Sequence, residues 1–162
     1  MSRPRRDLLT DETKLRHLLT AEKIIHEDVM MEQAGDTANR QHYMNNMIYD
    51  QDYSTYQGLS VKFESVRAPG FIYHSFALIY KPNPRHQDVF AQLEIEPADK
   101  KSHTEAGGIK IYGAHWVELN VTTDVTDNPN FTWYDWLREF GQRTNLTMHG
   151  KRVAPFDGEL QL

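Results

Sequence analysis

The sequence predicts a single α+β domain over residues 1–162: a mostly antiparallel meander sheet of about five strands, with an N-terminal and a C-terminal helix packed on it. Three observations predict it. Apolar residues recur at three-and-four spacing near the start of the chain, at a spacing of two from residue 59 onward, and at helical spacing again around residue 136. Turn signals punctuate the alternating stretches at meander spacing. A chain of 162 residues buries roughly two thirds of its unfolded surface in one core.

Thr10 is placed to cap the first helix, and Asp11 and Glu12 fall in its first turn, where the positive end of the dipole favours carboxylates. Leu15, Leu18, Leu19, Ile25 and Val29 form its apolar stripe, so the helix is expected from about Thr10 to Gln33, ending at Gly35. Residues 1–9, with Arg3, Arg5 and Arg6, are expected to be a flexible basic lead-in. Between Gly35 and Gly58 the chain is rich in Asn, Gln, Asp and Tyr and reads as one strand and a long loop. Leu59, Val61 and Phe63 alternate with Ser60, Lys62 and Glu64, a strand pattern. Pro69-Gly70 is a turn, Phe71 to Tyr80 a central strand, and Pro82-Asn83-Pro84 its end. Val89 to Ile95 alternates again and is closed by Pro97. After a polar excursion ending in Gly107-Gly108, a last strand is expected over about Ile109 to Val121, interrupted at Gly113. Asp127-Asn128-Pro129-Asn130 opens the second helix, with Trp133, Trp136, Leu137 and Phe140 on one face and Gly141 near its end. The tail 145–162, with Gly150, Pro155 and Gly158, reads as irregular.

Composition excludes several classes. The chain has no cysteine, which removes disulfides, thiolate metal sites and cysteine nucleophiles and fits a reducing, cytoplasmic setting. No apolar run approaches the ~18 residues of a membrane span, and no apolar segment follows the basic N-terminus, so neither signal peptide nor anchor is expected. A net charge of −5 disfavours nonspecific attraction to nucleic acid, although local basic patches leave it open, and basic groups at Arg3, Arg5, Arg6, Lys100, Lys101, Lys151 and Arg152 against Asp124, Asp127, Asp135 and Glu139 give a dipolar surface that suits a protein partner at least as well as RNA. Phosphate-binding glycine loops, serine elbows and helical zinc histidine pairs do not occur.

The search for chemistry therefore turns to histidines. His103 precedes the last strand and His115 lies on it, so strand pairing could set two imidazoles side by side. Two histidines can divide acid and base work in RNA cleavage, with Lys101, Tyr112 or Arg85 stabilising phosphate charge. The plainer reading makes both structural or surface histidines. His86 and Asp88 form a second polar cluster, read as a solvated loop. A metal set of His103, His115 and Glu94 lacks close ligand spacing, so neither metal nor cofactor is expected. The series Tyr43, Tyr49, Tyr53 and Tyr56 offers rings for stacking bases or for a partner protein, against a plainer reading as core packing and loop anchoring; Tyr49, Tyr53 and Tyr56, with Arg85, His86, Lys101, Tyr112 and Trp116, are the binding candidates.

Lys101-Ser102-His103-Thr104, the Gly107-Gly108 turn, Tyr112-Gly113-Ala114-His115-Trp116 and a closing aromatic helix resemble a family of small uncharacterised bacterial and phage proteins. That family's pattern has a His-containing loop and a Gly-Pro-His-x-His strand; here Ala114 stands in the proline position and Val117 in that of the second histidine. The resemblance implies phage or mobile-element functions. The functional expectation is a non-enzymatic protein-binding module, an inhibitor of a host nuclease or defence component being the concrete form. The alternatives are a small ribonuclease using His103 and His115, and a homodimeric assembly subunit.

Overall fold

The computed structural model describes residues 7–96, 101–104, 110–126, 128 and 130–156. It is α+β, with two helices among these residues and a larger sheet than expected. The first helix, α1 (Glu12–Thr20), is capped by Asp11, whose side chain accepts from the Thr13 N–H at 2.7 Å, rather than by Thr10. It buries Leu15, Leu18 and Leu19 as the spacing predicts, but it stops at Thr20 and not near Gln33. Lys23, fully buried, folds its ammonium back onto the carbonyls of Leu18, Leu19 and Ala21 at 2.6, 2.9 and 2.5 Å, closing the helix's negative end. Burial pushes the Lys23 amine down to about 7, while three acceptors match the three donors of the charged form.

Beyond Lys23 the β-branched Ile24, Ile25 and Val29 leave the helix for three short strands: β1 (Lys23–Ile25), β2 (Val29–Met30) and β3 (Glu32–Gln33). The partners of the first two come from the far end of the chain. β1 pairs in parallel with β12 (Leu146–Met148), and β2 with β13 (Arg152–Val153), so the tail expected to be irregular is bound by two strand pairings. Ile25 and Val29 are fully buried there, which satisfies the same apolar spacing without a helix.

Seven antiparallel strands form the main sheet, in the order Val121–Asp124, His115–Glu118, His86–Ile95, Phe71–Asn83, Leu59–Ala68, Arg40–Asn45 and β3. β4 (Arg40–Asn45) supplies the strand expected within 36–58, and β5 (Leu59–Ala68), β6 (Phe71–Asn83) and β7 (His86–Ile95) follow the alternating stretches. The segment read as one last strand divides into β9 (Lys110–Tyr112), β10 (His115–Glu118) and β11 (Val121–Asp124). Gly113, at φ +71°, makes the first break as expected; Leu119 and Asn120, at φ +49° and +67°, make the second as a two-residue hairpin turn. β9 pairs with β8 (Lys101–Thr104) in a separate two-stranded ribbon.

One face of the sheet carries Val61, Phe63, Phe76, Leu78, Leu93 and Trp116, each at most 4% exposed. Helix α2 (Trp133–Thr144) lies on it, started by a capping box between Thr132 and Asp135 and ended by Asn145 at φ +54°. Phe140 meets Phe63, Phe76 and Trp116 at ring-centroid distances of 5.5, 6.0 and 6.4 Å. Trp133, Trp136, Leu137 and Phe140 are all buried, as the helical spacing predicts.

Candidate functional site

The expected histidine pair is divided between two sheets. On the β8–β9 ribbon the backbone of His103 pairs with Ile111 and that of Lys101 with Tyr112. His115 lies on β10 of the seven-stranded sheet and is fully buried. Its Nδ1 is 3.1 Å from the Gly113 carbonyl and its Nε2 is 3.1 Å from the Glu94 carboxylate, its neighbour across β7. An imidazole so enclosed has no surface open to solvent. Trp116 is 4% exposed, with its Nε1 donating to Glu118 at 3.3 Å and the Arg143 guanidinium 5.4 Å from its ring, so its surface is spent inside the protein.

The His86–Asp88 cluster is a fastening and not a solvated loop. Asp88, 2% exposed, accepts from the backbone N–H of Leu9 at 2.7 Å and of Thr10 at 2.9 Å, and from the Thr10 hydroxyl. His86 Nε2 sits 2.7 Å from Thr10 Oγ1 and 3.1 Å from the Asp88 carboxylate. Burial raises the Asp88 pKa, but the hydrogen bonds from Leu9, Thr10 and His86 outweigh it and hold the carboxyl below its usual range. The strand β7 thereby ties down the entry to α1. Arg85 is exposed beside this fastening, its N–H donating to the Asn83 side chain at 3.0 Å.

A Ser–His contact on the main sheet has no counterpart in the sequence reading. Ser65 Oγ and His74 Nδ1, cross-strand neighbours on β5 and β6, are 2.8 Å apart. Burial pushes His74 down to about 4. The pair resembles a nucleophile and its base, but Ser65 is fully buried and offers no substrate approach.

Tyr49 and Tyr53, by contrast, meet at a ring-centroid distance of 6.1 Å, and Tyr56 follows on the same segment. Tyr49 is pinned to β1 by reciprocal backbone bonds with Ile24, of 2.8 and 2.9 Å. The next residues form a tight loop around Asp50, whose Oδ1 accepts from the Asp52 and Ser54 N–H groups at 2.8 and 3.0 Å. That loop holds Tyr53 at φ +62°, a conformation unusual for a bulky side chain, and leaves it 71% exposed. Its ring lies flat on His26, centroids 4.6 Å apart and planes 4° from parallel. Tyr49 and His149 meet His26 edge-on at 5.0 and 5.4 Å, and the His26 Nε2 is buried with no hydrogen-bond partner among the described residues. The β1–β12 pairing brings His149 there, because it runs Ile25 against Met148 and the His149 N–H donates to the Ile25 carbonyl at 2.9 Å. Gly150 permits this approach: a Cβ on it would lie 2.5 Å from the Glu27 carbonyl oxygen.

Beside this cluster is a groove of about 640 Å³ whose walls include Met44, Met47, Tyr56, Gly58, Leu59 and Lys81. Met44 and Met47 are 59% and 43% exposed. The Tyr56 hydroxyl donates to the Glu22 carbonyl at 2.7 Å, so one residue of the groove wall also holds the chain just before β1. Burial, then the negative charges of Asp50 and Glu22, push the Tyr56 phenol above its ordinary value. Sequence reasoning found the tyrosines and missed His26, His149, Met44 and Met47. The Asp50-Gln51-Asp52-Tyr53-Ser54 turn chemistry was readable locally, whereas the meeting of residues 26 and 149 depends on a parallel pairing that no local pattern announces.

Among the described residues no group of three or more His, Asp or Glu is placed to hold a metal ion, and no helix is long and apolar enough to cross a membrane. Compared with known proteins, the chain matches no family model, no curated protein and no solved structure.

Proposed function

We propose that this chain is a non-enzymatic protein-binding module that recognises a segment of a partner polypeptide with residues 44–57. The observation that carries the reading is where apolar surface is left in water. Of the eight large apolar side chains exposed among the described residues, Met44, Met47 and Tyr53 fall within ten consecutive positions. The segment is fixed by backbone bonds to β1 and by the Asp50 loop, so little ordering entropy is lost on binding. Methionines that reshape around a ligand, beside a rigid tyrosine, suit a polypeptide surface. The buried ring of His115 offers no comparable support for RNA cleavage.

The resemblance to bacterial and phage proteins makes nucleases and other defence components the first partners to test. Each is mixed with the chain, and both complex formation and nuclease activity are followed. The reading expects a stoichiometric complex, with inhibition that shows no turnover, and loss of that complex in Met44→Asp and Met47→Asp proteins that retain the wild-type circular dichroism. A chain that stays monomeric and inert toward every partner contradicts it. So does RNA cleavage by the purified chain that disappears in His115→Ala.

A further inference from the structure

The surface around Tyr53 has a charge as well as a shape, and together they specify what kind of side chain it receives. We propose that the exposed face of Tyr53 is a stacking site for an arginine of the partner protein, framed by the carboxylates of Glu22, Glu27, Asp28, Asp50 and Asp52. The inference rests on the protein-binding reading and names the chemistry of the partner.

Tyr53 has one ring face against His26 and, at 71% exposure, presents the other to solvent. The face of a phenol is electronegative, and a flat guanidinium both stacks on it and is attracted to it. The surroundings strengthen that attraction. Glu22 accepts a hydrogen bond from Gln51 of the same loop, Glu27 accepts from Asn45 at 3.3 Å, and Asp28 accepts from the Lys151 N–H at 2.8 Å beside His149 and Gly150. Glu22, Glu27, Asp28 and Asp52 are exposed and Asp50 is half-buried. Across the segments 22–28, 44–57 and 149–151 the only exposed lysine or arginine is Lys151, since Lys23 is buried under α1. Five carboxylates against Lys151, with the exposed Lys81 on the wall of the adjoining groove, leave this region net negative. A nucleobase could stack on the same ring, but its phosphates would meet those carboxylates. Lysine would feel the charge but lacks the planar group that covers a ring.

The test uses fluorescein-labelled octa-arginine and octa-lysine peptides and a single-stranded oligouridylate, titrated into the full chain at physiological salt and read by anisotropy. Wild type is expected to bind the arginine peptide at least about fivefold more tightly than the lysine peptide. Tyr53→Ala removes that preference, and Asp52→Asn combined with Glu27→Gln weakens both peptides alike. Equal affinity for the two peptides in wild type, no binding of the arginine peptide, a preference that survives Tyr53→Ala, or tighter binding of the oligouridylate each overturns the inference. If Met44→Asp still breaks a protein complex while the arginine preference is missing, this inference alone fails and the binding module stands.

Discussion

Replacing Tyr53 by glycine and, separately, by alanine divides backbone strain from ring contacts at the centre of the proposed surface. At φ +62° a non-glycine residue is strained by about 1–2 kcal/mol. Glycine relieves that strain, but it gives up the stack on His26, worth about 0.5–1.5 kcal/mol, and frees the unfolded chain by about 0.5–1 kcal/mol. The ring is mostly in water, so little hydrophobic burial is lost with it. The expected result for Tyr53→Gly is a stability within about 1 kcal/mol of wild type. Tyr53→Ala keeps the strain and loses the ring, so it falls below glycine by about 0.5–1 kcal/mol. Urea unfolding followed by the fluorescence of Trp116, Trp133 and Trp136, all buried, measures both. Partner binding should fall about tenfold in each, a loss near 1.4 kcal/mol that reflects the ring and not the fold. Alanine equal to or more stable than glycine refutes the strain; a loss above about 3 kcal/mol in both makes the ring a core element and refutes the surface role.

Three further outcomes follow from the scaffold. Asp88→Ala strips the acceptor from two backbone N–H groups and the Thr10 hydroxyl; a loss of about 2–3 kcal/mol is expected, with faster amide exchange at Leu9 and Thr10, and unchanged exchange there counts against the fastening. Because the Asp88 pKa is lowered on folding, its stabilisation is complete above the unfolded value of 3.8 and is lost as pH falls through the folded one. His74 is held neutral by burial, near 4 against 6.5 unfolded, so the unfolded state binds more protons between those values and stability declines as pH falls across that window; urea midpoints of a His74→Gln protein should show a shallower decline, and an identical profile would refute the assignment. Gly150→Ala drives a Cβ to 2.5 Å from the Glu27 carbonyl; a loss of about 1–3 kcal/mol is expected, together with altered His26 and His149 ring signals in NMR spectra, and wild-type signals would contradict it.

Much of this fold is legible in local pattern because the sheet is a meander. Each strand from Leu59 to Ile95 finds its partner a turn away, so alternation and the Pro69-Gly70 dipeptide carry enough information. The first helix was overextended because Ile25 and Val29 continue its spacing, while what removes them from it is long-range: pairing with Leu146–Met148 and Arg152–Val153, and the Lys23 side chain seated on the helix end. The break at Leu119-Asn120 was missed because its left-handed residues include no glycine. The same distinction governs the site. Tyr49, Tyr53 and Tyr56 are recognisable as residues a loop would expose, but the surface they make requires His26 and His149, which are 123 positions apart and adjacent through one parallel pair. His103 and His115 illustrate the converse, because residues close in sequence lie on different sheets, with His115 enclosed against Glu94.

The most direct measurement is amide hydrogen exchange of the chain with and without a partner bound at saturation. The account predicts new protection concentrated in residues 44–57 and around His26 and His149. Protection confined to the edge strand Val121–Asp124 or to the β8–β9 ribbon, with residues 44–57 exchanging as in the free chain, would contradict it.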